Sequence, residues 1–246
     1  MKEQREFLKS GDWGAWGQVE TDQRRGLPPP PLEKPAPPDA PRVDLIPPDR
    51  LAVGAMPLIE AIGRRRSRRA YTAESLSLEE LSFLLWATQG VQKVIDSGRV
   101  SLRTAPSAGA RHPFETYLLI NRVEGLTAGL YRYLPLEHQL CLLDAEDGLA
   151  EAIHAACFGQ YVTGSAATFL WTALPGRTEW RYAVLAHRVI LMDVGHVCQN
   201  LYLACEAICA GMCAIGAYDQ ARLDELLGVD GEDEFAIYLA TVGKIA

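Results

Sequence analysis

The chain has 246 residues, 48% of them hydrophobic, which is enough for one sizeable core and makes a single domain of α/β type the prior. Its formal charge, 24 − 31 = −7, argues against nucleic acid or anionic lipid as a partner and leaves small molecules or protein. No stretch approaches the roughly 18 apolar residues of a membrane span. The charged opening MKEQREFLKS lacks the apolar centre of a signal peptide, so a cytoplasmic protein with no membrane partner is expected.

Ten of the fifteen prolines lie between Pro28 and Pro48, centred on LPPPPLEKPAPP. Proline fixes φ and removes donors, so residues 1–55 are expected to form an extended arm in polyproline II conformation. Trp13, Trp16, Leu45 and Ile46 give the arm apolar anchors and favour an ordered strap over a disordered linker or a PxxP ligand for a recognition module. The folded unit, residues 56–246, opens near Met56 with a helix through Ile59 and Ile62 that runs into Arg64 to Arg69. The next helix is capped by Ser77, with Glu80 three residues on to close a capping box, and Gly90 stops it.

Phe114 to Asn121 reads as a strand, and Gly129 to Leu134 with Gln139 to Leu143 as a hairpin. Asp144 to Cys157 looks helical, and Ala166 to Ala173 is an apolar run of strand length. From Arg181 to Ala210 the pattern is helical for some thirty residues, greasy enough to demand burial in a core, a dimer interface or both. Phe235 to Gly243 is a closing strand. The six cysteines include Cys198, Cys205, Cys209 and Cys213 at spacings of seven, four and four, a small-residue packing stripe of reduced, buried thiols; no metal site is expected.

Three distant segments have unusual chemistry. Arg64-Arg65-Arg66-Ser67-Arg68-Arg69 places five arginines around one hydroxyl, a donor set suited to phosphate; a solvated basic helix end explains it about equally well. Thr104 to Pro113 (TAPSAGARHP) and Gly211 to Tyr218 (GMCAIGAY) are rich in small residues. They would let backbone approach a flat ligand, although a plain turn and ordinary helix punctuation also account for them. Neither resembles a Rossmann or Walker loop. His196, inside the long apolar helix, is expected in a hydrogen-bonded core role. His112 reads as positional, and Asp219 and Asp224 read as solvated or capping groups at a short helix.

The three segments, in this order, resemble the nitroreductase superfamily and within it the SagB-type dehydrogenases. RRRSRRAY resembles their RRSxR signature, RTAPSAGARHPFETYLLI the PSaGalhPlE block, VEGLTAGLYRY the vegLxpGlYhY block, and LMDVGHVCQNLYLACEAI the central GH helix. EDEFAIYLATVGK resembles the closing strand, and the arm is similar to that of free-standing members. The resemblance implies an α+β fold with a central, mainly antiparallel sheet flanked by helices, a long core and interface helix, and an intertwined homodimer with FMN at the subunit boundary. Arg65, Arg66 and Ser67 match positions that hold phosphate and ribityl chain, and Arg69 matches the basic residue beside flavin N1 and the C2 carbonyl. Pro106, Ser107, Ala108 and Gly109 match the loop given by the partner subunit, and Ile215, Gly216 and Ala217 a segment near the reactive ring edge. Lys244 is left as the candidate for the basic phosphate ligands that many members carry after the last strand.

The implied activity is hydride transfer through flavin N5 between NADH or NADPH and a small organic acceptor, nitroaromatic or quinone-like. Azoline-oxidising members carry a catalytic Lys-Tyr pair where this chain has Arg181-Tyr182. Arginine is a poor proton acceptor, which leaves Tyr182 as the candidate catalytic group. Two alternatives stay open: a SagB-like oxidase of a peptide azoline or other natural product, and a non-catalytic flavin-binding dimer that recruits a partner through its arm.

Overall fold

A computed structural model describes residues 2–246. In chain order the strands are β1 (Arg42–Asp44), β2 (Val91–Ile95), β3 (Val100–Arg103), β4 (Phe114–Ile120), β5 (Gly129–Leu134), β6 (Gln139–Asp144), β7 (Ala167–Ala173), β8 (Ala210–Ile215) and β9 (Phe235–Lys244). The helices are α1 (Lys2–Glu6), α2 (Leu58–Arg64), α3 (Leu78–Gln89), α4 (Leu149–Ala156), α5 (Gly176–Tyr182), α6 (Ala186–Ala207) and α7 (Gln220–Leu227). Seven strands form one sheet in the order β1-β6-β5-β4-β7-β9-β8, with every neighbouring pair antiparallel. β2 and β3 form a separate hairpin.

The central strands β4, β5 and β7 are buried along their whole length, because the sheet is covered on both faces. Successive side chains of a strand point to opposite faces, and that alternation sorts the apolar run into two cores. Leu118, Ile120, Phe169 and Trp171 join Leu84 and Leu85 of α3 and Val194, Val197 and Leu201 of α6. Tyr117, Leu119, Leu170 and Leu239 join Ile153 of α4 and Leu223 and Leu227 of α7. The result is a helix–sheet–helix sandwich, an α+β fold with its mainly antiparallel sheet at the centre. Among the described residues no helix is long and apolar enough to cross a membrane.

The capping box on α3 is formed in both directions, with Ser77 Oγ accepting from the Glu80 amide and a Glu80 carboxylate oxygen accepting from the Ser77 amide. The long helix differs from expectation. It is broken after α5 at Ala183, where φ is +46°, and resumes as α6 for 22 residues. A left-handed alanine is strained, and a segment without glycine or proline gives no warning of the break. The helix also stops at Ala207, and Gly211 lies inside β8 rather than ending it. Asp144 to Cys157 is helical only from Leu149, because Asp144 still pairs with Leu130 across the β5–β6 hairpin.

The arm lies against its own chain. β1 pairs with the sheet edge at β6, and Leu45 is buried. The backbone carbonyls of the proline-rich stretch are taken by side chains from far along the sequence: Leu27 by Trp180, Leu32 by Arg103, Lys34 and Pro35 by Arg132. Lys34 Nζ donates to Glu234 at 2.5 Å, and the same carboxylate accepts from Tyr117 and Thr172. Trp13 is a third exposed, yet it and Trp16 pack on the Tyr182 ring at centroid distances of 5.9 and 5.5 Å.

Candidate active site

The arginine run begins where α2 ends. Arg64, in the last turn, pairs with Glu60 at 2.9 Å, and the chain then turns to lie alongside β8. Ser67 bridges Met212 in a parallel register, and the Arg68 amide donates to the Met212 carbonyl at 2.9 Å. Glu206, 3% exposed near the end of α6, accepts from the Arg66 amide and the Arg68 guanidinium, both at 3.3 Å. One buried carboxylate thus clamps the run while neutralising only one of its charges.

Arg65, Arg66 and Arg69 have no carboxylate within ion-pair distance among the described residues. The Arg65 guanidinium lies over the Tyr202 ring at 5.2 Å. The Ser67 and Tyr202 hydroxyls are 2.9 Å apart, and Tyr202 also accepts from the Ala214 amide at 3.2 Å. Burial pushes the Cys213 thiol up, opposed by the charge of Arg69 nearby. The first and third segments therefore meet in one protomer, on the C-terminal half of α6.

The second segment sits elsewhere on the same helix. Asp193, buried on α6, accepts from Ser107 Oγ at 2.6 Å and from the Ala108 amide at 2.9 Å. Ser107 Oγ in turn accepts from the His112 amide at 2.9 Å. Nine residues of helix separate Asp193 from Tyr202, about 14 Å at 1.5 Å per residue. At Gly109, φ is +59° and a Cβ would come within 2.6 Å of the Arg181 side chain and 2.8 Å of the Tyr182 hydroxyl, so the glycine is required by its neighbours as well as by its backbone. Pro106 lies exposed at the head of the loop.

Several expected residues stand differently. The Ile215 side chain belongs to the second core, so only its backbone is available to a ligand, whereas Gly216 and Ala217 are exposed. Lys244 is committed to Glu80 of α3, so its ammonium is already paired. His196 is exposed and has no core role, because the register of α6 turns Gly195 and His196 outward. Asp219 caps α7, but Asp224 is buried and accepts from the Ala236 amide at 2.7 Å. Cys209 is exposed while the other five thiols are free and buried. His112 is held neutral, its pKa lowered to about 3 by burial and then by Arg103.

Tyr202, Glu206 and Asp193 position the site and were missed in the sequence. Glu206 could have been found: an acid inside LYLACEAICA must have a partner if the helix is buried.

The Nitroreductase family model matches residues 62–244, from the end of α2 to the end of β9, so it takes in the arginine run, the Gly109 loop and β8. A protein of Methanocaldococcus jannaschii that carries the nitroreductase name is 32% identical over 188 residues, 76% of this chain and 90% of that protein. The trifolitoxin-processing protein TfxB of Rhizobium leguminosarum bv. trifolii is 27% identical over 148 residues, 57% of this chain. The chain spans 40% of the length of TfxB. A crystal structure from Ralstonia eutropha, also of nitroreductase name, superposes with a TM-score of 0.68 at 29% identity and covers 89% of this chain and 99% of that one. The sandwich built on an antiparallel sheet, with the cationic run after α2 held against α6, is that of an oxidoreductase. The chain belongs to the nitroreductase family.

Proposed function

We propose that this oxidoreductase is a homodimer that uses FMN, reduced by NADH or NADPH, to reduce a small nitroaromatic or quinone-like acceptor. The observation that carries the reading is the set Arg65, Arg66 and Arg69: guanidinium groups without carboxylate partners among the described residues, held beside a serine hydroxyl on an otherwise acidic protein. Like charges collected at one place are costly unless an anion is bound there, and planar forked donors suit phosphate. The residues present therefore fit a mononucleotide.

In this reading residues 56–246 form the flavin-binding unit and residues 1–55 its strap. Arg65, Arg66 and Ser67 hold the phosphate and ribityl chain. Arg69 supplies positive charge beside the ring carbonyl. Gly216 and Ala217, with the backbone of Ile215, line the ring edge without side chains that would block a stacked substrate. The loop from Pro106 to Gly109 comes to the same flavin from the partner subunit, in keeping with its distance from Tyr202 along α6. When bound, FMN supplies the two-electron hydride chemistry at N5. The protein contributes orientation, charge and exclusion of water, with the Tyr182 hydroxyl available to donate a proton to the acceptor.

The likeness to a trifolitoxin-processing protein favours a second reading, oxidation of a peptide azoline or another natural product. Arg181 opposes it, since a guanidinium does not accept a proton near neutrality. A flavin-binding dimer that recruits a partner through its proline arm has less support, because the arm's carbonyls are already bonded within the chain.

The test is the double substitution Arg65→Ala with Arg69→Ala. It should leave a folded protein whose visible spectrum has lost its flavin bands and whose affinity for added FMN, read by fluorescence quenching, falls by at least about a hundredfold for two charge-assisted contacts. Full flavin in that variant would remove the phosphate site from this run.

A further inference from the structure

Between the arm, the turn of the β2–β3 hairpin and α5 lies a cavity of about 480 Å³, a size that takes an organic molecule rather than a bare ion. Arg99, Arg111 and Arg181 line it against one carboxylate, Asp96. Among the described residues none of these arginines has a carboxylate within ion-pair distance.

The geometry is built rather than loose. Arg111 is 7% exposed. Its Nε donates to the Gly109 carbonyl at 3.1 Å, and its guanidinium lies over the Trp180 ring at 5.0 Å. Arg181 is held by Nη1 donating to the Gln23 side-chain carbonyl at 3.3 Å and Nε donating to the Tyr182 hydroxyl at 3.3 Å. Burial, and after it the charge of Arg181, lowers the pKa of Arg111, so the two cations are close enough to repel. A buried cation facing a second cation is destabilised unless an anion compensates both. Neutral acceptors do not supply that compensation, Asp96 offsets the Arg111 charge only in part, and the arm closes one side of the space without contributing an acid.

We propose that this cavity is a binding site for a small planar organic oxyanion, a carboxylate or a phosphate ester, gripped by Arg111 and Arg181 with Arg99 at its mouth. Forked guanidinium donors recognise both groups bidentately. Because Gly109 lines the cavity, such a ligand would lie beside the loop assigned to the flavin; that placement rests on the proposed function, whereas the binding does not.

The test is calorimetric titration of the full-length protein, as purified, with benzoate, phenyl phosphate and the neutral benzamide. One of the anions should bind at least about tenfold more tightly than benzamide, and the better anion identifies the group preferred. Arg99→Gln and Arg181→Gln should each weaken that anion about tenfold, the effect of one charge-assisted contact, and Arg99→Lys should restore part of the loss. Arg99 is exposed on the hairpin turn, so its variants keep the thermal midpoint of the parent. Failure of both anions to bind, equal binding of benzamide, or anion affinity unchanged in both glutamine variants would overturn the proposal. None of these outcomes is itself a measurement of flavin content or turnover, and the two glutamine variants separate this cavity from the phosphate site proposed at Arg65 and Arg66.

Discussion

Lys244 and His112 illustrate how a side chain's neighbours decide its role. Lys244, the basic residue that closes β9, is expected from the sequence to meet a phosphate, but its ammonium is spent on Glu80 and both side chains are mostly buried. Lys244→Met should therefore leave FMN affinity within about twofold and lower stability by about 1–3 kcal/mol in urea denaturation, the range for leaving a buried hydrogen-bonding group without its partner. His112 has its pKa lowered to about 3, below the unfolded value of about 6.5. Its contribution to stability is complete above pH 6.5 and is lost as pH falls from there toward 3, at up to about 1.4 kcal/mol per pH unit. His112→Asn, which tolerates the positive φ of 45°, should flatten the fall of thermal midpoint over that window relative to the parent. An identical acid profile in the two proteins would show that His112 is not the group responsible.

At the scale of elements, local signals were readable where the physics is local. Ser77 and Glu80 specified the start of α3, and Ser77→Ala should cost about 1 kcal/mol of unfolding free energy. Alternation and apolar runs located β4, β5, β6, β7 and β9 to within a residue or two. β8 was hidden because AGMCAI has few β-branched residues and a glycine, and it is a strand only because β9 offers it an edge. β2 and β3 carry a readable Asp-Ser-Gly turn that the apolar pattern alone did not single out. The break at Ala183 has no sequence signal, since the strain is imposed by surrounding packing. The prolines did not foretell the helical turns at Lys2–Glu6 and Trp13–Gln18 within residues 1–55, nor the hold on the proline-rich stretch: Arg103 and Arg132 reach Leu32 and Lys34 across 71 and 98 residues. For the candidate site, the arginine run and the Gly109 loop were legible as chemistry. Their grips on Glu206, Tyr202 and Asp193 depend on helix register and tertiary pairing.

At the scale of the molecule, α2 and the N-terminal half of α6 each leave large apolar side chains uncovered in one chain. Leu58, Ile59 and Ile62 are 63%, 83% and 57% exposed, and Leu191 and Met192 are 46% and 43% exposed. Monomeric proteins seldom leave so many large apolar side chains exposed on packed helices, and such surfaces suit a self-complementary dimer contact. Ile59→Glu places a charge in it. The expected result is a halved mass by light scattering together with loss of bound FMN, since each proposed site needs two chains; a monomer that keeps its flavin would refute that arrangement.

α6 carries both grips, Asp193 toward one end and Tyr202 with Glu206 toward the other. In a pair built this way, one rigid rod would serve two reaction centres at once, supporting the lid of one and the floor of the other. An axial slip or roll of that rod could not retune either centre by itself. Occupancy at the first would be felt mechanically at the second, and the two would work as geared halves rather than as independent copies.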